Sequence, residues 1–344
     1  MNRLFFKFLC LTIIIFNFSY FSFTEETKIY LEKIGTFQCG EQPKQVLFSP
    51  DGKKIVLPLL DDQGFDVFDV SNGKMQSRIC PPNSSQKGFA EGLFIPEKNA
   101  FFVSQMTTGL IYEYSATDFK FRREINTHGV WSKFIAWSPE KSLLAVSNWV
   151  SNDISLIDYE TGTVVKKIKT ASAPRGMIFV DEGENLISLS FEGGRIEKFS
   201  VSSGDLIDSI YVEKSAMRHV VVDSLFKTAY VSDMYHRNIF SIDLDSFEIK
   251  NKIRVFSNPN TIDLLDGRWL FVSSRGPNNP TDYTLRSPEN GRITVIDTKT
   301  MTVALEIQGG NQPTGLDISP DGKILCFSNF QDANLELYKI ILEK

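Results

Sequence analysis

The chain has 344 residues, 42% of them apolar and 23% charged, with a formal net charge of −5. That length supports one large core or two medium ones. An acidic balance without a basic run excludes a nucleic-acid partner as the expected function, and 28 Phe and 10 Tyr against four Trp lean toward strands.

The first segment, MNRLFFKFLCLTIIIFNFSYFSF, carries Arg3 and Lys7 and then an apolar run from Phe8 to about Phe23. This is the pattern of a secretory signal, with a polar TEETK beyond it. Residues 1–23 are therefore expected to be a signal peptide. The alternative is an uncleaved N-terminal anchor, the one route to membrane attachment, although the run is slightly short for a span. Lipidation at Cys10 is disfavoured, because the apolar stretch continues past it. Residues 24–344 are expected to form one domain, exported to the periplasm or the cell surface. Cys39, Cys80 and Cys326 remain, an odd and sparse set that makes no disulfide framework.

From there the chain repeats itself. Units begin at QPKQVLFSPDGKKIVL, GFAEGLFIPEKNAFFVSQ, WSKFIAWSPEKSLLAVSN, APRGMIFVDEGENLISLS, AMRHVVVDSLFKTAYVSD, NPNTIDLLDGRWLFVSS and QPTGLDISPDGKILCFSN. Their spacing of roughly 40–45 residues is that of propeller repeats. Each unit reads as four short strands. The first is apolar, and a turn follows it, twice written SPDGK; Asp-Gly between apolar runs marks a hairpin. The second strand is of the LAVSN type and the third of the ITVID type. A turn such as YETG leads to the fourth, of the VVKKIK type. No long 3.6-residue period occurs, which excludes a helical solenoid. The prediction is an all-β, seven-bladed β-propeller. The seventh unit stops after its third strand, so IYLEKIGTFQCG near the N-terminus is expected to complete it and remove two raw edges.

These units resemble the YVTN-type, YncE-like propeller repeat: SPDGK at 49–53 and 319–323, VSN at 146–148, LID at 156–158, VID at 295–297 and ETG at 160–162. The resemblance spans residues 28–342. It implies the fold strongly and function weakly, since such propellers include surface-layer proteins, periplasmic binders and relatives of lactonases.

Aligning the residue that opens each first strand gives Lys44, Glu91, Lys133, Arg175, Arg218, Asn260 and Thr314. First strands line a propeller's channel, so these residues are expected to ring one mouth. Four cations and one carboxylate there would focus positive potential on an anion, and Arg175 and Arg218 suit a carboxylate or phosphate. Loops on the same face add Trp131, Trp149, His236 and Arg275, with aromatics beside cations. The sixth unit carries a long insertion, RGPNNPTDYTLRSPENG, in which Arg275, Tyr283 and Arg286 are candidates for a lid. Asp69, Asp158, Asp243 and Asp297, which recur after the third strands, read as turn formers rather than metal ligands.

The chain has three histidines and neither a GxSxG nor an HExxH sequence. His219 and His236 open and follow strands of the fifth unit, and a metal or general-base site there is the enzyme alternative: a lactonase-like hydrolase or a metal-dependent lyase. The favoured expectation is a monomeric, non-catalytic binding or scaffold protein without cofactor or metal. Its partner would be a small anionic molecule, a glycan or a protein segment.

Overall fold

A computed structural model describes residues 27–343 except 83 and 85; the expected signal or anchor segment, with Cys10, lies outside the described residues. Seven antiparallel sheets of four strands each follow one another along the chain. The first strands of blades 1 to 7 are Leu47–Phe48, Phe89–Ile95, Ser132–Ser138, Pro174–Val180, Met217–Val222, Pro259–Leu265 and Pro313–Ile318. From blade 2 onward each packs against the first strand of the next blade, the last returns to that of blade 1, and the second strand of blade 1, Lys54–Pro58, packs against the first strand of blade 2.

Blade 7 is built from both ends of the chain. Strand Lys28–Gln38 pairs along Asn334–Glu343, from Lys28 opposite Glu343 to Gln38 opposite Asn334. The expected closure is therefore present. Val46, Phe48, Ile55 and Leu57 of blade 1 pack with Cys326, Leu335 and Leu337 of blade 7 in one buried cluster. The two SPDGK turns consequently meet and line a cavity of about 310 Å³. Each turn has the same wiring. The Ser49 hydroxyl donates to Asp51 at 2.6 Å and that of Ser319 to Asp321 at 2.7 Å, while Gly52 and Gly322 take φ of 69° and 71°. Only glycine adopts that left-handed backbone without cost.

Burial follows from stacking blade on blade. Second strands such as Ala100–Gln105 and Trp269–Ser274 are buried at every position, because both faces meet a neighbour. Fourth strands such as Val164–Lys169 form the outer wall and alternate with solvent. Blade 2 residues Ile95 and Phe102 share a core cluster with Ile135, Leu144 and Val146 of blade 3.

The serine of the second-strand VS pair ties blades together near the axis. Ser104 Oγ accepts the Glu91 N–H at 3.2 Å and donates to the Lys133 carbonyl of the next blade at 2.6 Å. Ser232 and Ser273 donate in the same way to Asn260 and Thr314, at 2.7 and 2.9 Å. Ser328 closes the ring by donating to Pro43 at 3.1 Å. The accepted N–H belongs to a β-bulge found in six of the first strands, for example between Ser132 and Ile135. A bulge re-aims side chains and breaks strict alternation, and here it governs what faces the channel.

The recurrent aspartates are turn formers, as read from the sequence. Asp69, Asp158 and Asp243 each accept a backbone N–H at 2.8 Å from the turn that follows, at Ser71, Thr161 and Ser246. The Ser71 hydroxyl first and then its N–H hold the Asp69 carboxyl below the ordinary value, and the N–H and hydroxyl of Thr161 and Ser246 do the same for Asp158 and Asp243.

Candidate functional site

The bulge register sorts the channel residues into levels. Ser132 opposes Asn148, Pro174 opposes Ser190, Met217 opposes Asp233, Pro259 opposes Ser274 and Pro313 opposes Asn329. The next residue in each strand forms the upper ring: Lys133, Arg175, Arg218, Asn260 and Thr314, with Lys44 following Pro43, which opposes Leu59. In blade 2 Phe89 opposes Gln105, so the ring position is Ala90, and Glu91 stands one residue deeper. This corrects the alignment read from sequence. Matching Glu-Gly at 91–92 with Arg-Gly at 175–176 equates two glycines that do different work. A Cβ on Gly92 would meet Phe101, whereas one on Gly176 would meet the backbone of Arg218 and His219 in the next blade.

Glu91 nevertheless joins the cations. From blade 2 it accepts Arg218 Nη2 of blade 5 at 3.0 Å, and Arg175 Nη2 lies 3.4 Å from the same Oε1. All three side chains are almost wholly buried. Burial opposes ionisation of Glu91, but Arg218, Arg175 and Lys44 outweigh it and hold its carboxyl below the ordinary value. The cations remain in excess. Burial, with Arg175 and Arg218 close by, depresses Lys133 to about 6. Burial and the neighbouring Arg175, Arg275 and Arg218 push Lys44 well down. Burial together with Arg218 lowers Arg175 to about 9 and Arg275 to about 10.

Five basic groups thus converge on one space in which Glu91 is the carboxylate that reaches the guanidiniums. Nε and Nη1 of Arg175, Nη1 of Arg218 and Nε of Arg275 are buried and make no hydrogen bond. A buried charged donor left unpaired is costly. Such an array suits an anion that brings acceptors with it.

Above the cations lies a second ring that sequence reasoning missed. It comprises Met106, Trp149, Phe191, Met234, Arg275 and Phe330, each directly after a second strand, and in blade 1 Leu60, which follows the bridge residue Leu59. The backbone N–H of each donates to the carbonyl of the residue just before a first strand, as Trp149 does to Trp131 and Phe330 to Gln312, both at 3.0 Å, or in blade 1 to Gln42, just before the bridge residue Pro43. Six of the seven are apolar. Lys133 Nζ sits 3.8 Å from the Trp149 ring centre, and the Arg175 guanidinium lies 5.4 Å from it. Lys44 and Arg275 both approach Phe330 at 5.2 Å. Phe191 packs on Trp149 at 4.8 Å between centroids. Applying the repeat rule to this position in the sequence finds the collar.

Trp131 and Trp149 come together at Lys133, whose Nζ is 5.3 Å from the Trp131 ring. Trp131 occupies a left-handed slot, φ 60°, which Gln42, Ala173, Asn258 and Gln312 fill in other blades. The slot turns the chain into the first strand and leaves Trp131 exposed on the rim. Of the other tryptophans, Trp269 is buried. Trp137 is only partly so, and its indole N–H donates to Glu97 at 2.6 Å.

The two histidines of blade 5 lie in different surroundings. His219 is at the level of Glu91 and meets Phe134 edge-on at 5.6 Å. Burial, with Arg218 adjacent, depresses it to about 3. His236 is half-exposed, and its Nδ1 is 2.7 Å from Asp233 Oδ2. Among the described residues no group of three or more His, Cys, Asp or Glu is arranged to hold a metal.

The insertion lies against blade 7. Arg286 pairs with Asp332 at 2.7 Å and donates to the Gln331 carbonyl at 2.9 Å, so it is spent on anchoring rather than on the cation cluster. Ser287 and Asn311 exchange two hydrogen bonds of 3.0 Å, and Gln312 donates to Leu285 at 2.9 Å. Gln312 in turn accepts from Arg275. Tyr283 is exposed near the tip.

No family model matches the chain. Antigen Lp49 of Leptospira interrogans serogroup Icterohaemorrhagiae serovar copenhageni is 38% identical over 317 residues, which is 89% of this chain and 69% of that protein. The chain belongs to the family of Antigen Lp49. Within that family this member carries an upper ring of cations under an apolar collar, closed below by Glu91, Phe134 and His219.

Proposed function

We propose that the protein is a non-catalytic binding protein that takes an anionic ligand at the cationic end of its channel. The observation that carries this reading is the set of unpaired guanidinium nitrogens on Arg175, Arg218 and Arg275, buried beside a single shared carboxylate. Bidentate acceptors such as carboxylate or phosphate match those donors. Lys44 and Lys133 complete the cation set, and Trp131 and Trp149 form one wall. His219 and Glu91 make the floor, while His236, Tyr283 and Arg286 belong to the rim.

We also read the chain as a YVTN-type, YncE-like propeller that works outside the cytoplasm, at the surface or in the periplasm. The apolar segment that follows Arg3 and Lys7, and a relative named as an antigen, support that placement.

The test is a thermal-shift screen of small anions at constant ionic strength, because a ligand that binds only the native form raises the melting temperature. Wild-type protein should respond to carboxylates or phosphates. The Arg175→Gln/Arg218→Gln double variant, shown to be folded by circular dichroism, should lose at least about 100-fold in affinity, as expected when two charge-assisted contacts are removed. Unchanged affinity in that variant refutes the site.

A further inference from the structure

The reading above names a charge, and the collar narrows it to a class of molecule. Six of seven collar positions are apolar, in a protein of net charge −5. Trp149 and Phe330 touch the cations of the ring below, and Met234 Sδ lies 4.0 Å from Asn260 Nδ2 of the same ring. Collar residues therefore stand directly over the ring, each toward the junction with the next blade. Apart from Phe330, the apolar members are only partly buried.

A bare inorganic ion would have to leave water and pass apolar side chains with nothing to gain from them. We infer that the ligand is an amphiphilic anion, which seats a carboxylate or phosphate head on Arg175 and Arg218 and packs an apolar body against the Met, Phe and Trp collar. Ligand sites of this kind are mostly apolar with a few placed polar groups, and Met suits bodies of varied shape. Arg275 is the single charged collar position. It is bound to Gln312, so the collar has one polar side, toward the insertion. Lys133, faced by Arg175, Arg218, Glu91 and Glu192, would take up a proton as the head arrives.

This inference rests on the anion reading, and calorimetry on the full chain at pH 7 separates the two. The probes are inorganic phosphate, butyl phosphate and octyl phosphate below its micelle concentration, with octanol as the uncharged control. The expected result is affinity that rises about three- to fourfold per methylene until the collar is filled, net proton uptake in buffers of different ionisation enthalpy, and no octanol binding. Met106→Ser and Met234→Ser should each flatten the chain-length dependence. Phosphate and octyl phosphate binding equally well overturns the amphiphile but leaves the anion site standing. No binding by any phosphate removes both. Octanol binding as tightly as octyl phosphate also overturns the inference, because the head would then be idle. Vesicles of phosphatidylglycerol give the source: co-sedimentation marks a bilayer lipid, and octyl phosphate binding without co-sedimentation marks a soluble amphiphile.

Discussion

Two sets of buried charge occupy this propeller, and they are built on opposite rules. In the blade interior Glu113 and Asp66 are each matched. Glu113 accepts Arg122 at 3.0 Å, Arg123 at 2.5 Å and the Tyr159 hydroxyl at 3.0 Å. Asp66 takes Arg78 at 2.7 Å and the Gly40 N–H at 2.7 Å. At the channel mouth five basic groups crowd one carboxylate and leave guanidinium nitrogens unpaired. Charges that serve only the fold can be neutralised by neighbours on the same chain. A set left unneutralised costs stability, and such strain marks sites that await something from outside.

The contrast can be broken by substitution. The largest effect is expected in the blade. Glu113→Gln leaves two arginines without a carboxylate and should cost about 3 kcal/mol, read by chemical denaturation, with anion binding unaltered. An equal loss of anion affinity would mean that the two sets are not separate.

The mouth should respond with the opposite sign. Lys133→Met removes a lysine that the folded site forces to give up its proton, and should stabilise the empty protein at pH 7 by about 1 kcal/mol. The pH dependence follows from linkage. Folded Lys133 gives up its proton near 6, whereas an unfolded lysine holds it to about 10.4. Between those values the unfolded chain binds more protons, so wild-type stability should rise with pH and the advantage of Lys133→Met should shrink. Sulfate affinity should run the other way and fall by up to about tenfold per unit from pH 6 to 8, because binding favours the charged lysine. A flat sulfate profile, or destabilisation by Lys133→Met, would place Lys133 among the matched charges.

A third acid set sharpens the comparison at a smaller scale. Asp263 and Asp317, on the first strands of blades 6 and 7, hydrogen-bond to each other. Burial raises both, and Asp317 is pushed up further by the Asp263 charge. Each also accepts a backbone N–H from the next blade, Asp263 from Ile318 at 2.9 Å and Asp317 from Phe48 at 2.6 Å. The unfolded chain releases these protons near pH 4. From there upward the folded form binds more protons, and stability should fall as pH rises. Asp317→Asn keeps an acceptor for Phe48 and offers an N–H to Asp263. It should raise the melting temperature at pH 8 more than at pH 5, by a gain of about 0.5 kcal/mol. The same gain at both pH values would show that the pair does not share a proton.

The smallest effect is expected at the insertion. Arg286→Ala removes a solvent-exposed pair with Asp332 and should change stability by about 0.5 kcal/mol or less, with anion affinity within about twofold. A large affinity loss would return Arg286 to the site.

The fold was legible because every blade needs the same four strands and turns, and the Asp-Gly and VS signals recur where the backbone demands them. Closure was legible from the missing fourth strand of the seventh unit. The cation ring was legible as a list of like-numbered positions. Glu91 was misplaced by one residue because a bulge, which the sequence does not mark, breaks the two-residue period just where side chains enter the channel. The collar went unseen for a different reason. Leu60, Met106, Trp149, Phe191, Met234, Arg275 and Phe330 share no residue type, so the repeat rule marks the position only once the common backbone hydrogen bond has drawn attention to it. Arg286 illustrates the limit of charge as a signal, since its partner Asp332 belongs to another blade's loop.

Halide-soaked crystals test the central claim most directly. Anomalous diffraction from bromide locates uncompensated positive potential without assuming what the natural ligand is. The account predicts bromide among Lys44, Lys133, Arg175 and Arg218 beneath the Trp149 collar, and none at the Glu113 or Asp66 pairs. Bromide absent from the mouth, with those four cations paired to protein carboxylates instead, would contradict it.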